Sequence, residues 1–90
     1  MKSNKIQLKL NGERKKIDKI DRNLMKFLDL RAERVLRIGK IKLQNNIPIQ
    51  NLSREKQVLE KTNLFKNKSY LRNIFKIIIY ESKLLQKDLR

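Results

Sequence analysis

From Glu13 to Gln44, a stretch of 32 residues, apolar side chains return at helical spacing: Ile17, Ile20, Leu24, Phe27 with Leu28, then Val35, Ile38 and Ile41. Residues three and four apart share one face of a helix, so the stretch predicts one long amphipathic helix. At 1.5 Å per residue its length is roughly 48 Å. A compact chain of 90 residues has a radius of gyration near ~12 Å and spans about 30–35 Å. The rest of the chain is therefore too small to cover the stripe. The helix needs a partner, and a second copy is the economical one.

Asn45-Asn46-Ile47-Pro48 stops the long helix, because Pro48 disfavours helical geometry at the residue before it. Ser53 reads as the N-cap of a second helix over about 53–65, carrying Val58, Leu59 and Phe65. Asn67-Lys68-Ser69 reads as a short turn, with Ser69 capping a third helix over about 70–88. That helix carries Leu71, Ile74, Phe75, Ile78, Ser82 and Leu85 on one side. At the other end Ile6, Leu8 and Leu10 alternate briefly before the turn signal Asn11-Gly12. Residues 1–10 are thus expected to be a frayed, flexible or extended leader, and 11–90 the folded domain. No sustained strand pattern follows residue 10. The predicted fold is all-α, with one long helix, two shorter ones and no internal repeat.

The chain has no cysteine and no histidine. That excludes disulfides, thiolate metal sites, and the commonest general base and metal ligand. No segment approaches the ~20 apolar residues of a membrane span, and MKSNKIQLKL has no apolar run of signal-peptide length. A soluble cytoplasmic protein is the expectation, with no membrane partner. The net charge of +15 points to anionic partners: nucleic acid, a membrane surface or a small anion. The lysines are spread along the chain (Lys2, Lys15, Lys26, Lys40, Lys56, Lys68, Lys83). That spread weighs against a dedicated nucleic-acid arm and is equally served by a solvated lysine-rich surface.

Polar residues on the apolar faces carry more information. Stepping along the long helix by threes and fours gives Leu24, Leu28, Arg31, Val35, Ile38 and Lys42, so two cations lie on the seam expected to be buried. They are 11 residues apart, close to three turns or about 16 Å, and two long cations on one face can grip an anion between them. The competing reading is that both stems snorkel and the charges reach water. Arg14 precedes Arg31 by 17 residues, roughly 25 Å along the helix. It is out of reach of a small ligand at Arg31 in its own chain, but within reach from the other chain of an antiparallel dimer. On pattern alone Arg14 is an ordinary exposed arginine beside Lys15 and Lys16. On the third helix Ser82 and Gln86 are four apart on the apolar face, where neutral polar groups need hydrogen-bond partners. Glu55, at the start of the second helix, suits the helix dipole, whereas Arg54 opposes it.

These residues, in this order, resemble a known family. The run Arg14-x-x-Ile17-Asp18-x-Ile20-Asp21, then Leu24, Leu28, Arg31 and Ile38-Gly39-x-x-Lys42, is similar to the all-helical class of chorismate mutase. So are Pro48-Ile49 followed by Arg54-Glu55-x-x-Val58-Leu59, and the ending Phe75-x-x-Ile78-x-x-x-Ser82-x-x-x-Gln86. Each piece is weak alone; the ordered set, from about residue 13 to 89, is specific. The segment between the second and third helices is shorter than is common in the family, and the first ten residues lie outside the resemblance.

The resemblance implies an entwined helical homodimer with two active sites, each completed by an arginine donated across the interface. It implies the rearrangement of chorismate to prephenate in aromatic amino acid biosynthesis, a unimolecular pericyclic step with no nucleophile, metal, cofactor or proton transfer. Carried over to these positions, Arg31 and the partner subunit's Arg14 bind the substrate's carboxylates, for which the planar, always-charged guanidinium is suited. Lys42 and Gln86 donate to the ether oxygen, where negative charge develops. Glu55 accepts from the ring hydroxyl, Ser82 bonds a carboxylate, and Arg54 lines the pocket. Asn51 stands where the family often has an aspartate; its contact is through the backbone N–H, so the change alters charge more than bonding. A free-standing mutase, not a fused pathway enzyme, is the expectation. Within the fold the alternative is an isochorismate-pyruvate lyase; outside it, a basic nucleic-acid-binding protein or a purely structural dimeric bundle.

Overall fold

The computed structural model describes residues 2–90. It is all-helical among them: α1 (Lys2–Gln44), α2 (Leu52–Lys61), a 3-10 turn (Thr62–Leu64) and α3 (Lys68–Lys87). Among the described residues no helix is long and apolar enough to cross a membrane.

The first helix corrects the expected leader. Lys2 to Leu10 are α-helical and continuous with the rest of α1, which counts 43 residues. The turn signal Asn11-Gly12 lies inside that helix. One glycine costs a helix about 1 kcal/mol relative to alanine, and the flanking Lys, Gln, Leu, Glu and Arg residues are good helix formers that outweigh it. Local pairs add to this: Gln7 Nε2 donates to Asn11 Oδ1 at 3.2 Å, and Lys16 pairs with Glu13 at 3.3 Å.

α1 ends where expected, but the stop is built by Asn46 as well as by Pro48. Asn46 takes a left-handed φ of 55°, and the Ile47 amide reaches back to the Lys42 carbonyl at 2.9 Å. This is a Schellman-type closure, with asparagine in the place glycine commonly fills. Both later caps also differ from expectation. α2 is capped by Asn51, whose side-chain oxygen accepts from the Arg54 amide at 3.0 Å, and not by Ser53, which lies inside the helix. A cap side chain bonds the amide two or three residues on, and the extended backbone of Asn51 (φ −137°, ψ 94°) puts it at that position. α3 starts after Asn67 instead of Ser69, with the Leu71 amide bonded to the Asn67 carbonyl at 3.0 Å. The segment expected to complete the second helix is the tighter 3-10 turn. Thr62 is buried there, and its Oγ1 donates to the Leu59 carbonyl at 2.6 Å.

Packing divides the chain into two units, Met1–Arg31 and Ala32–Arg90. In the first, Ile6, Leu8, Leu10, Ile17, Ile20, Leu24, Met25, Phe27, Leu28 and Leu30 are all exposed within the chain. In the second, α2, the 3-10 turn and α3 pack on one another, and Val35 and Ile79 are buried to 7% and 8% exposure. Leu36, Val58, Leu59, Leu71, Ile74, Phe75, Ile78, Leu85 and Leu89 are half-buried around them. The part of α1 in this unit shows two faces. Val35, Gly39 and Lys42 face inward to different degrees, whereas Ile38 and Ile41 stay exposed.

Candidate active site

Gly39 sets how closely α1 and α3 approach. A Cβ built on it would stand 2.8 Å from Leu89 Cδ1, so that the leucine tip would have to move, and a tight 3.0 Å from Gln86 Cγ. The glycine therefore lets Gln86 press against the α1 backbone. Gln86 is 7% exposed. Its Nε2 donates to the Ser82 carbonyl at a long 3.4 Å, and its buried Oε1 has no hydrogen-bond partner. A buried acceptor left unmet costs about 1–3 kcal/mol, so this amide is held at the α1–α3 contact by shape more than by bonding. One turn earlier the Ser82 hydroxyl donates to the Ile78 carbonyl at 2.6 Å.

The loop after α1 forms a cleft of about 620 Å³, lined by Lys42, Ile47, Pro48, Gln50, Asn51 and Leu52. Lys42 is half-buried, and its Nζ donates to the Ile49 carbonyl at 2.7 Å. An ammonium has three donors, so the bond fixes the cation at the mouth of the cleft with two N–H groups left over. Glu55 lies one turn beyond Asn51 and does not line the cleft. Its carboxylate meets Lys83 of α3, with Nζ at 3.3 Å from Oε1 and 3.5 Å from Oε2.

The expected residues thus fall into local groups. Lys42 and Asn51 share the cleft; Ser82 and Gln86 share a face of α3; Glu55 reaches α3 through Lys83. Arg54 is exposed and its Nη1 contacts Gln57 Oε1 at 3.5 Å, outside these groups. Arg14 and Arg31 belong to the first unit, Arg14 exposed and Arg31 half-buried and engaged.

Over residues 13–87 the sequence matches the family described as chorismate mutase type II. The chain belongs to that family. All eight expected site residues lie inside the match. The bifunctional chorismate mutase/prephenate dehydratase of Buchnera aphidicola from Schizaphis graminum is 44% identical over 81 residues, which are 84% of this chain and 21% of that protein. The chorismate mutase of Methanocaldococcus jannaschii is 37% identical over 85 residues, 89% of this chain and 86% of that protein. The chain spans about a fifth of the length of the bifunctional relatives it matches. No solved structure matches it significantly.

Two residues of this region escape sequence reasoning. Lys83 looks like one of many dispersed lysines, and only its place next to Ser82 and three before Gln86 hints that it shares their surroundings. Gly39 forms part of the family pattern, but periodicity alone gives no reason for it; the small residue one turn before Lys42 was the available signal.

Proposed function

We propose that this protein is a chorismate mutase, converting chorismate to prephenate for aromatic amino acid biosynthesis in the cytoplasm. The observation that carries the reading is the family match over residues 13–87, which includes Arg14, Arg31, Lys42, Glu55, Ser82 and Gln86 at the positions the resemblance assigns to substrate contacts. The packing agrees with it. Gln86 is a polar residue held in the interior, and Lys42 is an ordered cation on a cleft, as an anionic substrate requires.

The reaction is unimolecular, so the protein's task is to fold the substrate and stabilise the charge that separates as the ether bond breaks. In this reading Arg31 and the partner subunit's Arg14 hold the two carboxylates and fix the enolpyruvyl arm over the ring. Lys42 and the Gln86 amide N–H donate to the ether oxygen. Glu55 accepts from the ring hydroxyl, the Asn51 backbone N–H donates to it, Ser82 adds a bond to a carboxylate, and Arg54 raises the positive potential. The exposed apolar face of Met1–Arg31 supports a second copy as its cover, which also supplies the second arginine.

Purified protein is expected to consume chorismate and release prephenate. Arg31→Ala or Lys42→Ala should lower kcat/KM by about 10²–10³-fold, the range for losing one charge-stabilising donor. A folded wild-type chain without turnover would sink the reading. Isochorismate assayed in parallel, with release of pyruvate, would point to the lyase of the same fold instead.

A further inference from the structure

The ion pair of Lys83 with Glu55 has no part in the roles above. It joins α3 to α2 across 28 residues of sequence, and its side chains are only 31% and 23% exposed. Pairs of fully exposed charges are worth little; this one is drawn out of water at both ends. Lys83 stands next to Ser82 and three residues before Gln86 on α3, so the pair ties Glu55 to the helix that carries two proposed substrate contacts.

We propose that Lys83 is a positioning residue, whose ion pair holds the Glu55 carboxylate in the orientation from which it accepts the substrate's ring hydroxyl. The inference rests on the chorismate mutase reading. Glu55 has three side-chain torsions, and without a partner it samples several rotamers. The ammonium near both oxygens selects one of them. An ionised carboxylate has about four acceptor directions, and the pair leaves room on each oxygen for a hydroxyl. The pair also solves a charge problem. Chorismate brings two carboxylates, and a lone glutamate beside them repels the ligand it is meant to bind. Together with Lys83, Glu55 makes a hydroxyl-accepting pair that carries no net charge.

The test is a double-mutant cycle in the full chain, read as steady-state kinetics on chorismate: Lys83→Met, Glu55→Gln and both together, with Lys83→Arg as the conservative variant. Methionine keeps an unbranched stem and a good helix propensity, and circular dichroism checks the fold. Lys83→Met is expected to raise KM by about tenfold with kcat changed less than about threefold, the pattern of a ground-state binding loss. In the Glu55→Gln background the same change should cost less than about twofold, because the pair is already gone. Lys83→Arg should restore KM to within about threefold of wild type. An unchanged KM in Lys83→Met overturns the proposal. Equal penalties in both backgrounds overturn it too, since Lys83 would then act on the substrate directly. If Lys83→Met does not fold, Lys83→Gln takes its place in the cycle. A folded wild type with no turnover overturns the parent reading together with this one, whereas an active wild type with independent substitutions overturns the role of Lys83 alone.

Discussion

Met1–Arg31 and Ala32–Arg90 are built from the same helical vocabulary and have opposite relations to water. Among the described residues the first unit keeps its large apolar side chains exposed within the chain, Phe27 at 69% and Leu24 at 50%. The second buries Val35 and Ile79, and with them the polar Thr62 and Gln86. A fully buried leucine or phenylalanine contributes about 1.5–3 kcal/mol, so the first unit leaves most of its driving force unused, and a lone helix is marginal in water. The second unit uses its packing to hold polar groups in fixed places. One region is an exposed apolar surface; the other is a frame that holds polar groups.

The strongest way to break this contrast is to make the first unit as polar as it is exposed. Leu24→Glu together with Leu28→Glu changes residues of the first unit alone. If a second copy covers this face, the double variant should sediment as a monomer and lose at least about 100-fold in chorismate turnover, because the donated arginine leaves with the partner. A monomeric wild type, or a variant with full activity, would show that the face has no such role. A smaller effect is expected inside the frame. Gly39→Ala should lower stability by about 1–3 kcal/mol through overpacking, measured by denaturant melts. If Gln86 donates where charge develops, as proposed, the substitution should also lower kcat more than it raises KM, since the added methyl displaces that side chain. The smallest effect sharpens the comparison from the other side. A Cβ on Gly12 would have nothing within 4 Å, so Gly12→Ala should raise thermal stability by about 0.5–1 kcal/mol and leave kinetics untouched. Two glycines of one helix, substituted alike, should give effects of opposite sign.

The fold was largely legible in the sequence because helical periodicity is local information. The stripe from Ile17 to Ile41 and the face from Leu71 to Leu85 need only a spacing rule. The ends were less legible. Asn51 and Ser53 are both competent caps two residues apart, and the choice between them is made by where the chain leaves its extended conformation. Asn46 gave no sign of its left-handed backbone beyond being an asparagine near a proline. For the site, Lys42, Ser82 and Gln86 stand out because a polar residue on an apolar face is anomalous within its own helix. Lys83 does not, because its partner lies on another helix and the pairing depends on how α2 and α3 register. Arg54 was picked out as opposing the helix dipole, and the structure leaves it in solvent beside Gln57.

The short link between α1 and α2 is tied to Lys42 twice, through the Ile47 amide on its carbonyl and through its own ammonium on the Ile49 carbonyl. Arg90 takes the remaining carbonyl of the Ile47-Pro48 peptide at 2.6 Å. A peptide carbonyl beside the proposed anion site would repel the ligand, and here two such carbonyls are each met by a cation. The link therefore works as insulation as well as a hinge stop, and it cannot swing without dragging the Lys42 charge along with it.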